Sequence, residues 1–300
     1  VDISKTVQIA PGQYVVAVSG GVDSVTLLDI ASKLPGLKLT VAHFDHGIRP
    51  ESHFDRLLAA SLAKKYGLPF VYMEGKLGAK ASEDKARKAR YEFLRRIQDE
   101  TNAAGILVAH HQDDVMETAT HNILRGTGRK GMSSMKSVDG IIRPLLHLPK
   151  SHLLKYARDN QLTWRDDSTN QDQKYYRNYI RLRLLRRLEK VSPEGYEQFK
   201  HLIKRQHDLN AAIDNELTTL LHLQPSPITL RRYDVIKLPH AVAREVVGEW
   251  LRRAGKRQFS RKQLERAVVG IKTGRPNTRL ELDNVHHIEL DKKHARIVNM

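Results

Sequence analysis

The chain has no cysteine. That removes disulfides, cysteine-ligated metal sites and thiol nucleophiles from its chemistry, and it fits a cytoplasmic setting. Apolar runs long enough to cross a bilayer are also missing, as are a recognisable signal peptide, an internal repeat and any low-complexity tract. No membrane partner is therefore expected. The first residue is Val1 rather than Met, which reads as a missing or processed N-terminus. Negative charge is scarce: 34 Asp and Glu stand against 51 Lys and Arg, a net +17. Such an excess points to a polyanionic partner, nucleic acid first. It is densest in Lys174, Arg177, Arg181, Arg183, Arg186, Arg187 and Lys190. The length, 300 residues, suits about two domains.

What is present is organised around Val15–Asp29, VVAVSGGVDSVTLLD. A short apolar run reaches Val18, a polar turn follows over Ser19, Gly20, Gly21, Val22, Asp23 and Ser24, and helical apolar spacing resumes at Val25. This predicts a buried strand, a glycine turn and a helix. Glycines let backbone approach a ligand closely, and the first helical turn offers unpaired amides to an anion. The hydroxyls of Ser19 and Ser24 are further donors. The turn lacks the Gly-Lys-Ser/Thr ending of a Walker A loop.

Further strands are expected over 37–44, 69–73 and 105–109, with helices over 51–66 and 82–97 between them. Ligands bind at the carboxyl ends of strands in such sheets, so His43, Asp45 and His46 are candidate nucleotide contacts. The 82–97 helix starts on Ser82 as a cap and carries Arg87, Arg90 and Tyr91, a group suited to phosphate or carboxylate. After the 105–109 strand comes His110-His111-Gln112-Asp113-Asp114-Val115-Met116-Glu117. On a helix Asp113 and Asp114 reach the face of Glu117, a cluster able to hold Mg²⁺ or grip an amine. His110 with Asp114 also suggests zinc, although nothing nearby completes such a site. Residues 122–131 read as a glycine-rich basic loop, 166–170 as a polar turn, and Arg177–Arg181 as the opening of a basic helix. Beyond Ser192, helical patterns over 196–223, 241–254 and 261–271 replace the alternation, with 224–238 as a connection and short strands near the end. The prediction is an α/β parallel-sheet domain over 1–190, then a smaller, mainly helical domain over 191–300, a candidate for contacts with the polyanionic partner.

Eight motifs occur in order: SGGVDS, HFDHGIRPES, EDKARKARYEFL, AHHQDDVMET, RGTGRKG, RPLL, DDSTNQD and RNYIRLRLL. Together they resemble tRNA(Ile)-lysidine synthetase, of the PP-loop ATPase superfamily, over most of residues 14–187. The resemblance implies a Rossmann-like PP-loop ATPase domain. It also implies a reaction: ATP adenylates the C2 carbonyl oxygen of the wobble cytidine in the CAU anticodon of minor tRNA(Ile), then free L-lysine displaces AMP through its side-chain amine. Ser19–Ser24, with His43 and Asp45, would bind ATP; Asp23 and Asp113 would hold Mg²⁺. Asp114 and Glu117, with His110 beside them, would receive lysine, and Arg90 and Arg181 would neutralise the adenylate. Arg125, Arg129, Lys130, Arg177, Arg183, Arg186 and Arg187 would meet tRNA, with binding that weakens steeply as salt rises. A homodimer is compatible with the family.

The lysine amine must first lose a proton. With a reference pKa of about 10.4, that costs roughly 4–5 kcal/mol at pH 7, so Asp114 or Glu117 is expected to accept it. Competing readings are a sulfur-transferring tRNA enzyme, which lacks its usual cysteines here, a small-molecule PP-loop ligase, and a non-catalytic tRNA-binding protein.

Overall fold

The computed structural model describes residues 2–47, 52–75, 78, 83–133, 135, 140–165, 176–256 and 258–299. Ser82, Lys174, the 166–172 motif and residues 48–51 of the HFDHGIRPES motif lie outside them. Two compact units divide the chain, Val1–His207 and Asp208–Met300.

The first unit is built on five parallel strands: β1 (Gly12–Ala17), β2 (Leu37–Asp45), β3 (Phe70–Glu74), β4 (Gly105–Leu107) and β5 (Ile141–Ile142), in the order β3-β2-β1-β4-β5. The helices α1 (Val22–Lys33), α2 (Ser52–Lys65), α3 (Glu83–Glu100), α4 (Gln112–Leu124), α5 (Arg129–Met132) and α6 (Lys150–Asp159) connect or follow these strands. Successive strand residues face opposite sides. Val16, Val41 and Leu107 therefore pack with Leu27, Leu28, Leu62 and Leu153 of α1, α2 and α6. Val15, Ala42 and Ile106 turn the other way, onto Phe93, Leu94 and Ile97 of α3. A sheet covered on both faces has apolar central strands, which is why β1 and β2 read as continuous runs.

Strand order reverses between β1 and β4. The chain leaves β1 for β2 on one side and reaches β4 on the other, opening a crevice beyond their carboxyl ends. Helix α1 borders that crevice and is anchored from behind. Buried Asp29 accepts hydrogen bonds from Tyr66 and Tyr156 hydroxyls at 2.7 Å each and from Lys33 Nζ at 2.7 Å. Burial alone would raise its carboxyl pKa; these donors outweigh burial and hold it below the ordinary range.

The expected single basic helix is instead broken into α7 (Tyr176–Tyr179), a π-helical turn over Ile180–Leu185 and α8 (Arg186–Val191). The wider turn brings Ile180 and Leu185, five apart, into one apolar cluster with Met116 and Ala119 of α4. Helix α9 (Pro193–His222) begins in this unit: Tyr196, Phe199 and Ile203 join the same cluster, so the unit extends past the expected boundary near 190.

The second unit takes the rest of α9. Its helices α10 (Arg232–Ile236), α11 (His240–Arg253) and α12 (Arg261–Thr273) accompany an antiparallel sheet, β6-β9-β8-β7, of β6 (Thr229–Arg231), β7 (Thr278–Glu281), β8 (His286–Leu290) and β9 (His294–Asn299). Residues 224–238, expected as a plain connection, supply β6 and α10. The buried Arg232 there donates to the carbonyls of Ile271, Gly274 and Asp291, binding the end of α12 to the β8–β9 turn.

Candidate active site

The glycine turn sits at the β1 end of the crevice. Gly20 has φ +91°, which an L side chain rarely adopts, and a Cβ there would stand 3.4 Å from Asp55 Cβ. The Gly20 carbonyl accepts from the Arg165 amide at 3.0 Å, while Arg165 Nε donates to Asp55 Oδ1 at 2.9 Å. One arginine thus ties the turn to α2. Inside the turn, the Ser19 amide donates to Ser24 Oγ at 3.2 Å and Ser24 Oγ donates to the Gly21 carbonyl at 2.9 Å. Ser24 therefore shapes the loop with the hydroxyl expected to meet an anion.

Asp23 follows in the first turn of α1. Its Oδ2 lies 3.3 Å from Lys150 Nζ and 3.6 Å from His111 Nε2, while its Oδ1 is buried without a hydrogen-bond partner. Burial opposes ionisation, but His111 and Lys150 outweigh it and lower the carboxyl pKa. His111 is the residue preceding α4. Its amide donates to Asp114 Oδ2 at 2.9 Å, and its ring stands 3.4 Å from the same carboxylate. Burial disfavours the charged imidazole, yet Asp23, Asp114 and Asp113 together raise its pKa. Asp113 turns to α6, accepting the Lys150 amide at 3.1 Å.

One turn along α4, Glu117 is buried with Oε1 3.7 Å from Arg181 Nη1. Burial, then the like charge of Asp114, push its pKa up to about 7. Burial likewise raises Asp114. Arg181 is steadied by Asn178 Oδ1 at 2.8 Å.

His110 belongs to the opposite wall. Its Nδ1 accepts from Arg143 Nε at 3.1 Å. Burial, then the positive charges of Arg143, Arg90 and Arg87, push its pKa down to about 3. Arg87 and Arg90 both lie over the Tyr91 ring, at 5.0 and 5.4 Å from its centroid.

A family model described as a PP-loop domain matches residues 3–188. The chain belongs to the PP-loop family. Proteins named tRNA(Ile)-lysidine synthase are similar to it. That of Thermotoga sp. (strain RQ2) is 35% identical over 214 residues, 68% of this chain and 52% of the relative. That of Thermus thermophilus is 33% identical over 286 residues, 91% of this chain and 55% of the relative. That of Solibacter usitatus is 40% identical over 176 residues, 58% and 40% respectively. The chain spans about half the length of these relatives. Among solved structures, the U34-tRNA thiolase NcsA from Methanococcus maripaludis, with its [4Fe-4S] cluster, shares the fold at TM-score 0.55 and 17% identity, covering 69% of this chain and 77% of that one.

The PP-loop unit brings Asp23 of the Ser19–Ser24 turn near His111 and Asp114 beside the strand-order reversal, with Glu117 one helical turn along α4 and Arg181 next to it. Two expected contacts are placed differently. His110, grouped with the lysine-binding carboxylates in the sequence reading, meets guanidiniums, because neighbouring residues before a helix diverge; its surroundings suit neither an ammonium ion nor zinc. Asp45 is occupied by its own turn, accepting from the Gly47 amide at 2.8 Å and Ser52 Oγ at 2.9 Å. Buried His43 donates from Nδ1 to the Val18 carbonyl at 2.8 Å, leaving Nε2 as a buried acceptor. Arg183, Arg186 and Arg187 are exposed on the π-helical turn and α8, and Arg125 ends α4, next to the α5 residues Arg129 and Lys130. Arg177 Nη2 donates to Thr118 Oγ1 at 3.4 Å. Sequence reading missed Lys150, Arg165, Asp55 and Arg143 as site residues. Each reaches the crevice through tertiary packing alone, and only RPLL, among the motifs, marked one of them. Among the described residues, no three His, Asp or Glu side chains group as a metal site.

Proposed function

We propose that this chain carries the two half-reactions of a tRNA(Ile)-lysidine synthase. Glu117, buried one helical turn from Asp114 and poised at about 7, carries this reading. In the first half, the C2 carbonyl oxygen of cytidine 34 attacks the α-phosphorus of ATP and pyrophosphate leaves. The glycine turn and the start of α1 receive the phosphates, and the arginine wall faces the adenylated base. In the second half, the ammonium of free lysine enters against Asp114 and Glu117. Glu117 takes its proton, the neutral amine attacks C2, and AMP departs. A carboxylate tuned near neutrality can accept that proton and release it again at working pH. Bound Mg²⁺ would neutralise phosphate charge. The orphaned Asp23 Oδ1 and the partly exposed Asp113 fit it, since Mg²⁺ takes one or two carboxylates and fills the rest with phosphates and water.

The basic residues Arg125, Arg183, Arg186 and Arg187, exposed, and Arg129 and Lys130, half-buried, would meet the tRNA, and the second unit would hold its body. The relatives' name supports the tRNA(Ile) assignment, and the absence of cysteine argues against sulfur transfer. The test is incorporation of labelled lysine into a CAU-anticodon tRNA(Ile) transcript, with ATP and Mg²⁺, beside a transcript with C34 changed to U. Label confined to the first, with AMP and pyrophosphate released, is expected. Pyrophosphate without label would change the nucleophile. Neither product, from folded protein that binds the tRNA, would leave a binding protein.

A further inference from the structure

Arg143 lies just after β5, and the residue is almost fully buried at 9% exposure. Burying a charged group costs free energy unless it is put to use. Here Arg143 Nε donates to His110 Nδ1 at 3.1 Å. An N–H donor requires a lone pair on that nitrogen, so the neutral imidazole must carry its proton on Nε2. The charged groups described around the ring argue the same way: Arg143 after β5, Arg87 and Arg90 from α3, and His111 beside it are all cationic or become so. Tyr91, packed under Arg87 and Arg90, is also a neighbour of Arg143.

We infer that Arg143 is a positioning residue that fixes His110 as the tautomer protonated at Nε2, a neutral hydrogen-bond donor held toward the arginine-lined side of the crevice. Such a donor can hold a carbonyl or phosphate oxygen without adding or releasing a proton as the reaction proceeds. The tautomer assignment stands on geometry. Its consequence for turnover rests on the proposed adenylation.

The experiment is NMR of the full chain carrying nitrogen-labelled histidine, with the His110 signal identified by its loss in His110→Gln. In the wild-type protein, His110 is expected as the single Nε2–H tautomer, without titration between about pH 5 and 8. Arg143→Met should let the two tautomers exchange and raise the titration midpoint by about one pH unit. Arg143→Lys, which keeps a charge and a donor, should restore the wild-type tautomer. A wild-type His110 protonated at Nδ1, or titrating near its ordinary value, overturns the inference; so does an Arg143→Met spectrum with the tautomer unchanged. If Arg143→Met does not fold, the wild-type and Arg143→Lys spectra still decide. As a second readout, the acidic limb of tRNA-dependent pyrophosphate release, falling about tenfold per pH unit, should lie about one pH unit higher in Arg143→Met than in the wild type. An unaltered pH profile would remove the catalytic consequence. Wild-type protein that releases no pyrophosphate would sink the proposed reaction and leave the spectra to judge the tautomer.

Discussion

His110 and His111 are neighbours at the end of one strand, yet their rings occupy opposite electrostatic worlds. His111 lies among Asp23, Asp113 and Asp114, and its pKa is raised. His110 lies against Arg143, Arg90 and Arg87, and its pKa falls to about 3. Both are substantially buried, and burial alone would depress both. The difference is the wall each ring meets. Extended backbone sends successive side chains to opposite sides, so two adjacent histidines sample the two halves of the crevice. Groups of one type pushed apart by environment mark a division of labour. On the proposed reading, the arginine wall receives the electron-rich phosphate and adenylate, and the carboxylate wall receives an ammonium ion.

Removing the acceptor from the carboxylate wall should break this division most sharply. Glu117→Gln is expected to lower lysine transfer by about 10²–10⁴-fold, the usual worth of a positioned general base. Pyrophosphate release driven by the CAU transcript should survive, because the base lies on the other half of the reaction. Loss of both activities in equal measure would show that the two walls are not separable. The mirror experiment is Arg90→Met. It should slow pyrophosphate release by about 10²–10³-fold, and lysine transfer should fall with it, since transfer consumes the adenylate. A chemically pre-adenylated RNA, supplied to this variant, should recover transfer; failure to recover would place Arg90 in both halves.

How far the two walls could be foreseen depended on where their members sit in the chain. The carboxylate wall is local: Asp113, Asp114 and Glu117 share one helix, so spacing alone placed them together. The glycine turn was legible for the same reason, since an apolar run followed by two glycines defines strand, turn and helix within ten residues or so. The arginine wall is local only in Arg87 and Arg90, which share α3; Arg143 and the supports are not. Lys150 reaches Asp23 from 127 positions away, and Arg165 reaches Asp55 across 110. No periodicity encodes such contacts. β5 is only Ile141–Ile142, too short to show alternation. The π-helical turn has the same residue types as an α-helix, and only packing of Ile180 with Leu185 reveals it. Prolines at 225, 227 and 239 disguised β6 and α10 as a linker, although Leu230 and Val235 are fully buried there.

The carboxylate wall should also register in stability. Glu117 has a folded pKa of about 7 against an ordinary 4.5. Its protonated form therefore favours folding, a contribution fully present below about pH 4.5 and lost as pH rises through about 7. The whole effect is at most about 3.5 kcal/mol, at roughly 1.4 kcal/mol for each pH unit separating the folded and ordinary values. Urea midpoints measured at acid and alkaline pH should show Glu117→Gln gaining on the wild type as pH rises. No relative gain would mean that the burial of this carboxylate carries no ionisation cost.

The smallest effect separates the two causes of that raised value. Burial comes first and the charge of Asp114 second. Asp114→Asn keeps the shape of the wall and removes the second cause. The Glu117 midpoint should then move downward but stay above 4.5, because burial remains. Arg181, 3.7 Å away, would pull it further in the same direction. The lysine KM should rise, since one carboxylate no longer faces the ammonium. The informative quantity is the acidic limb of kcat, which reports the base within the substrate complex and should move to lower pH by a fraction of a pH unit. A limb that stays in place while KM rises would assign Asp114 to binding alone. It would also make desolvation, rather than a second negative charge, the device that tunes the base.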